Sequence, residues 1–441
     1  MSSAKGKSAK TTKRKGKAEE TSAPARGFLW MPIVLLMAAG QLLVWGARVG
    51  EGRSLTLMDV WPWVFWAGSG FGLCLALRMG RFTGYAAMVP GVLLLSGLGV
   101  LVRSRISGVF PGVSDMHWAV QPLGVLWLLL AWMASRRGRM ATWRPFWGLA
   151  ALGAFALAGG MLVLGTRYRG GLYAPGGMTP TELLKLLVPF ALAGYFSGTE
   201  ARWGKRPPWF PPLGALLGLG LVWGTFCLLL ALQRDLGLVL LLSLVLVVVL
   251  ILATERISWG VVAVAGAAGA IFGVVRVFAH GARRVAAWLD PFSDPTGAGW
   301  QVLQGLSGLY AGGLVGTGPG SGRPERLPIA SSDFIYAVYG EEWGYIGCLC
   351  LLVLYAHLFR AGIQSTRLQV SAFPRLLAGG VTAALMAQTL VNLAGVVNLL
   401  PITGITLPFI SQGGSSYWVV SVWFGLLLGL SEPAAGKHRK R

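Results

Sequence analysis

The stretch "LGLVLLLSLVLVVVLILA", residues 236–253, runs for eighteen positions without a single charge. A helix needs ~20 mostly apolar residues to cross the hydrocarbon layer of a bilayer. Eleven further apolar runs accompany it, near 28–47, 58–77, 84–102, 117–134, 146–165, 181–198, 211–231, 258–279, 334–358, 376–398 and 414–430. In lipid every backbone N–H and C=O has to find a partner inside the protein, so only helices and closed barrels span it. Runs of this length are too long for barrel strands, which need ~9–11 residues. The expected fold is an all-α polytopic membrane protein of about twelve transmembrane helices.

Charge supports the same reading. The chain carries a formal +22, yet only 12% of its residues are charged. The basic residues form no stripe on a folded module, which argues against nucleic-acid binding. They gather instead in the tails and in short turns: Arg78 and Arg81, then Arg136, Arg137, Arg139 and Arg144, then Arg202, Lys205 and Arg206, and the terminal "KHRKR". By the positive-inside rule these turns and both termini are cytoplasmic. Arg103, Arg105, Arg167 and Arg169 fall in outer loops by the same count. Residues 1–26 are polar throughout, so they are no signal peptide. They read as a disordered basic cytoplasmic tail, either simply topogenic or resting on anionic membrane lipid. The four cysteines lie inside apolar runs and the four histidines are scattered. That pattern offers neither a disulfide framework nor zinc-ligand spacing.

One connection is out of proportion. Residues 280–333 lie on the outer face and hold Trp288, Trp300, Leu303, Leu306, Leu309 and Tyr310, too apolar a set for a disordered segment. Of the sixteen acids, Asp290, Asp294, Glu325, Asp333, Glu341 and Glu342 fall in or just after this loop. Glu182 and Asp235 fall at span ends on the same side. In "TPTELLKLL", Thr179 and Pro180 suit a helix start and place Glu182 and Lys185 three apart on one face. Charges entering an apolar segment are costly unless paired or functional. "LQRDLGLV" sets Gln233, Arg234 and Asp235 at the mouth of the eighth span, which is equally ordinary interface chemistry. "AGGLVGTGPGSGR" follows no strand and so is no dinucleotide fingerprint; it reads as a turn whose amides could hold an anion. "SSDF" reads as a helix N-cap at Asp333, with Glu341 and Glu342 one to two turns inside. "LPITGITLPFISQGGSS" is a Pro/Gly-interrupted re-entry, the kind of backbone tolerated only against protein or a cavity. No internal repeat is evident, which disfavours transporter folds built from inverted halves.

Six stretches carry a resemblance: "TPTELLK", "QRDLG", "DPTGAGWQVLQ", "AGGLVGTG", "SSDFIYAVYGEEWGYIG" and "LLPITGITLPFISQGGSS". Their order and spacing over about residues 150–430 resemble the SEDS family, the shape, elongation, division and sporulation proteins of the RodA, FtsW and SpoVE kind. The resemblance implies a bacterial plasma-membrane (inner-membrane) glycosyltransferase that polymerises lipid II into glycan strands during elongation or division. It implies a class B penicillin-binding protein as cross-linking partner, alongside other elongation or division proteins, and an extracytoplasmic active face. The family's essential aspartate carries over to Asp294, within Asp294-Pro295-Thr296-Gly297-Ala298-Gly299-Trp300-Gln301, and its helix-start pair to Glu182 and Lys185. Gln233, Arg234, Asp235, Gln301, Asp333, Ser415 and Ser416 join these as expected substrate-binding residues. The implied organisation is a tail over 1–26, poorly matching N-terminal spans over 27–145, a core over 146–431 and a basic tail over 432–441. The family's ten spans leave two extra ones near the N-terminus. Three positions depart from the pattern: Ile329 stands where the family often has glutamate, Arg234 where it has proline, and Gln412 where it has tyrosine. Glu325 is the nearest carboxylate to Ile329's position.

Joining two lipid-linked sugars needs a base for the attacking hydroxyl and positive charge or amides for the leaving diphosphate. The expected base is Asp294, although an Asp before a Pro also commonly starts a turn, as Asp290 does here. Lys185, with Arg234 or a loop arginine such as Arg323, is expected to hold the diphosphate, and Glu182 to orient Lys185. No cofactor is assigned; carboxylates on one face are of the type that binds Mg²⁺ or Mn²⁺. The alternative reading is a lipid II translocase without chemistry, which would need a polar path through the bilayer.

Overall fold

In a computed structural model of the chain, the described residues are 30–109, 117–168, 171–173, 179–198 and 208–433. Both charged tails, and the basic turn with Arg202, Lys205 and Arg206, lie outside them. The elements in chain order are α1 Trp30–Gly50, α2 Leu57–Met79, α3 Met88–Val109, α4 His117–Ser135, α5 Trp147–Leu164, β1 Thr166–Tyr168, β2 Gly171–Tyr173, α6 Leu184–Phe196, α7 Leu213–Leu232, α8 Leu236–Thr254, α9 Ile257–Val277, α10 Ala279–Leu289, α11 Trp300–Gly312, α12 Ile335–Leu368, α13 Ala372–Val396 and α14 Gly414–Ser431.

Each of the twelve apolar runs coincides with a helix. Among the described residues, ten stretches are long and apolar enough to cross a membrane. One of these, Val120–Leu164, contains both α4 and α5. They are separated by the 3₁₀ segment Arg136–Phe146, where Arg137 and Gly138 take positive φ and turn the chain. The remaining helix, α6, has only 13 residues and is preceded by the 3₁₀ turn Pro180–Leu183. Among the described residues, the one departure from an all-α chain is the two-stranded antiparallel hairpin β1–β2, pairing Thr166 with Tyr173 and Tyr168 with Gly171.

The centre of the bundle is α13, which packs on α6, α8, α12 and α14. It is buried almost throughout, with Leu377, Ala378, Ala384 and Leu385 at its core. Helix α3 is nearly as enclosed, and α4 lies along the full face of α14. Arg103 and Arg105 therefore do not sit in a loop, as the count of spans suggested. Helix α3 runs on to Val109 and carries both inside it. Arg105 is fully buried, because its guanidinium has partners there: it grips Glu51 with two hydrogen bonds (2.9 and 2.7 Å) and donates to the Gly322 carbonyl at 2.8 Å.

The long connection over 280–333 is structured. Helix α10 continues from α9, a turn over 290–299 follows, and α11 packs on α12. Helix α11 presents Gly312 to α12 so closely that a Cβ there would lie 2.1 Å from the Gly340 carbonyl oxygen. Gly312→Ala is expected to lower unfolding stability by about 1–3 kcal/mol, the usual cost of forcing extra volume into a packed contact. Thermal unfolding in detergent, followed by tryptophan fluorescence, would show it; an unchanged midpoint would mean that α11 is free to shift.

Helix α12 is broken at Gly344 (φ 64°, ψ −169°). The break leaves carbonyls and amides without helical partners, and the glycine-rich loop supplies them. Thr317 and Gly318 donate to the Glu341 and Glu342 carbonyls, both at 3.0 Å. Tyr345 and Ile346 donate to Gly313 and Leu314 at 2.9 and 3.1 Å. The loop amides do hold an anion, as their composition suggested, but an internal one. Gly320 donates to the Glu342 carboxylate at 3.0 Å. Glu342 thus faces the loop and Arg105, its Oε1 lying 3.8 Å from Arg105 Nε, and not the substrate side.

Candidate active site

The site begins with α6. Lys185 is buried, and its ammonium donates to both Glu182 oxygens (2.9 and 2.7 Å) and to Gln388 Oε1 at 3.1 Å. The i,i+3 spacing read from the sequence makes this pair. Gln388, from α13, passes its amide on to the Thr406 carbonyl (3.0 Å) and toward the Ser416 hydroxyl (3.4 Å). The Thr406 and Ser416 hydroxyls lie 2.7 Å apart. Thr179 does not cap its helix; its hydroxyl pairs instead with that of Ser415 at 2.6 Å. Two turns of sequence nearly 240 residues apart are joined there.

The re-entry over 397–413 is held at its carbonyls by side-chain donors. Asn392 donates to Ile405 (2.7 Å), Arg284 to Ile402 and Thr403 (3.0 and 3.2 Å), Arg103 to Ser411 (3.2 Å) and Tyr355 to Pro408 (2.7 Å). This is how non-helical backbone survives within a bundle: the carbonyls of Ile402, Thr403, Ile405, Pro408 and Ser411 are each given a partner from a neighbouring helix.

Two aspartates flank the re-entry. Asp235 caps α8, accepting from the Leu238 amide at 2.9 Å. Asp333 does not cap α12, contrary to its position before the helix. Its carboxylate accepts from the Ser332 hydroxyl (2.5 Å), while Asn392 donates to its backbone carbonyl (3.0 Å). Burial pushes both carboxyls above the usual carboxylate range, and the charge of Arg284 pulls both back. Lys185 pulls on Asp235 as well.

Asp294 lies on the exposed turn between α10 and α11. Its two carboxylate oxygens accept from Gly297 (3.0 Å) and Ala298 (2.8 Å), so the turn that an Asp-Pro pair favours does form. Asp290 starts its own smaller turn, accepting from Phe292 at 3.1 Å. The glycines that distinguish the second aspartate have a physical reason. A Cβ on Gly297 would meet Asp294 Oδ2 at 2.3 Å, and one on Gly299 would meet the Pro291 carbonyl oxygen at 2.0 Å.

Other expected residues fall differently. Gln233 is buried and donates to the Ala158 carbonyl (2.8 Å), tying α7 to α5 and not lining a site. Arg234 is exposed in left-handed backbone (φ 67°). Gln301 sits on the first turn of α11, half-buried. Ile329 is exposed and also left-handed (φ 47°), an unfavourable state for a β-branched residue. Glu325 is exposed near Arg105 and Glu341, on the glycine-loop side. Lys185 has no donor left for a ligand: an ammonium has three hydrogens, and Glu182 and Gln388 take them. Sequence reading missed Arg284, Gln388 and Asn392. For the last two a signal existed, since polar residues four apart inside an apolar span are unusual. Among the described residues no group of three or more His, Cys, Asp or Glu side chains is placed to hold a metal ion.

Comparison with known proteins gives the same outline. The family profile described as "Cell cycle protein", that of FtsW, RodA and SpoVE, matches residues 122–435. The peptidoglycan glycosyltransferase RodA of Mycobacterium tuberculosis is 32% identical over 391 residues, covering 83% of this chain and 82% of the relative. Stage V sporulation protein E of Bacillus subtilis is 32% identical over 255 residues, covering 57% of this chain and 68% of the relative. A chain solved in a peptidoglycan synthase complex superposes with a TM-score of 0.61 at 25% identity, over 77% of this chain and 96% of that one. The rod-shape-determining RodA of Thermus thermophilus shares the fold, with a TM-score of 0.52 at 24% identity over 77% of this chain and 95% of that one. With a profile covering most of its length and a 32%-identical relative matched over more than four fifths of both chains, this chain belongs to the FtsW/RodA/SpoVE family.

Proposed function

We propose that this chain is a peptidoglycan glycosyltransferase that polymerises lipid II into glycan strands at the outer face of a bacterial plasma membrane. The observation that carries the reading is one-sidedness. Glu182, Lys185, Asp235, Asp333, Ser415 and Ser416 meet at one end of the bundle, and the Asp294 turn follows the helix that grips the same re-entry. A translocase needs a polar path through the bilayer, whereas the middle of α8 is packed in Leu and Val. Relatives called peptidoglycan glycosyltransferases support the chemistry.

Asp294 acts as the base that takes the proton from the attacking sugar hydroxyl. The diphosphate leaves from the opposite face of the sugar, which inverts the anomeric centre. The two backbone amides on Asp294 keep its carboxylate in one orientation. With twelve helices crossing, both termini are cytoplasmic. A class B penicillin-binding protein cross-links the strands; the likeness to a chain of a peptidoglycan synthase complex supports a partner of that kind. The RodA relatives align over 83% of the chain, which has to include residues ahead of 122, while the sporulation relative covers 57%. That reach favours the elongation role.

The test is purified full-length protein with its transpeptidase, fluorescent lipid II and a gel for polymer. A glycan ladder is expected; lipid II crossing vesicle bilayers without polymer would establish the translocase instead. Gly297→Ala is expected to lower polymerisation about 100-fold, because it displaces the Asp294 carboxylate by ångström amounts from its working position. The unfolding midpoint should barely move, since this turn is exposed. Parent-like turnover would show that the carboxylate needs no such placement.

A further inference from the structure

The reaction requires a cation with free hydrogen-bond donors where the diphosphate leaves. Lys185 is neutralised by Glu182 and has all three donors spent. Arg234 and Arg323 are exposed on the surface. Arg284 differs from each of them. It is half-buried on α10, six residues before the turn that leads to Asp294. Its Nη1 is anchored on the Ile402 and Thr403 carbonyls, which fixes the guanidinium plane. Among the described residues no hydrogen bond engages its Nε or Nη2, so the opposite edge of the fork remains open. A guanidinium held on one side and open on the other suits bidentate binding of a phosphoryl group.

We infer that Arg284 holds the diphosphate of the lipid-linked substrate, while Lys185 serves only to fix Glu182 and Gln388. The inference rests on the glycosyltransferase reading and assigns its anion subsite. Asp235 and Asp333, which share Arg284's neighbourhood, do not forbid an anion there. Burial raises both carboxyls and so favours their protonated forms, which eases the approach of an anion. The geometry also explains why the re-entry and α10 are tied together: the anion site and the base turn are mounted on the same helix.

The test uses the full-length chain with two readouts, the KM for lipid II in polymerisation and direct binding of fluorescent undecaprenyl diphosphate without turnover. Arg284→Met should weaken diphosphate binding and raise KM at least tenfold, and it should also lower the unfolding midpoint somewhat, because the Ile402 and Thr403 carbonyls lose their donor. Arg284→Lys, which keeps the charge but not the fork, should still weaken binding by about fivefold or more. A Lys185→Met variant should leave diphosphate affinity within about threefold. Parent-like diphosphate affinity in Arg284→Met overturns the inference. If Arg284→Met does not fold, Arg284→Lys decides: a loss of binding no larger than that of Lys185→Met would overturn it too. A parent that binds the diphosphate but makes no polymer would sink the enzyme reading and leave the binding comparison able to judge Arg284.

Discussion

Asp294→Asn is expected to lower glycan polymerisation by at least about 100-fold, within the range set by loss of a positioned base. The conservative substitution is the informative one. Asparagine is as good as aspartate at starting a turn, and its oxygen can still accept from the Gly297 or Ala298 amide. If the carboxylate only shaped the turn, Asp294→Asn would keep most of the activity and Asp294→Ala would lose it. If the carboxylate takes a proton, both variants fail alike, since an amide oxygen is far too weak a base. The unfolding midpoint of Asp294→Asn should match that of the parent, because the group is exposed. Polymer from fluorescent lipid II at a tenth of the parent rate or more would remove Asp294 from the chemistry.

The second large effect is on stability. Arg105→Met should cost about 3–5 kcal/mol, the penalty for stranding a buried partner charge. Side chains of Arg105 and Glu342 are 4% and 2% exposed, so neither can turn to water when its partner is removed. The substitution would also strip the Gly322 carbonyl of its donor and free Glu51. Adding Glu342→Gln to Arg105→Met should recover a good part of the loss, because it removes the stranded charge itself. The hydrogen bonds from Arg105 hold the Glu51 carboxyl below its ordinary value. A lowered carboxylate contributes stability above its unfolded pKa and loses it as the pH falls through the folded one. The parent should therefore weaken in acid along this path and Arg105→Met should not. Midpoints in detergent across that range check both statements; an Arg105→Met protein that unfolds at the parent temperature would show that the clamp holds nothing.

The spans were legible because hydropathy along a helix is a local property, readable in a window of twenty residues. The Glu182–Lys185 pair was legible for the same reason, being fixed by helical spacing. Arg105, Arg284 and Gln388 were not. Their partners lie 217, 118 and 203 residues away, and nothing near them in sequence says which carbonyl or ammonium each one meets. Arg105 was misplaced outright, because a charged residue at the end of an apolar run looks like a loop until a buried carboxylate is found beside it. Asp333 misled in the other direction. Its place before a helix suggests a cap, but Phe334 holds the cap position of the following helix without a side-chain bond, and the Asp333 side chain turns toward Ser332. The glycines of the Asp294 turn lay between these cases: their spacing was visible, whereas their purpose, clearance for Asp294 and Pro291, was not.

The interruption of α12 at Gly344 has a bearing on how the protein is made. Peptide groups left bare in hydrocarbon cost several kcal/mol each. The segment that satisfies them, residues 313–318, precedes the break by roughly thirty positions in a chain synthesised from its N-terminus. Arg105 and Glu51, which hold the same loop further on at Gly322, come earlier still. By the time Gly344 is delivered to the membrane, every group that will cover it has already been translated. Reversing that order would ask the membrane to accept an open helix and wait for its cover.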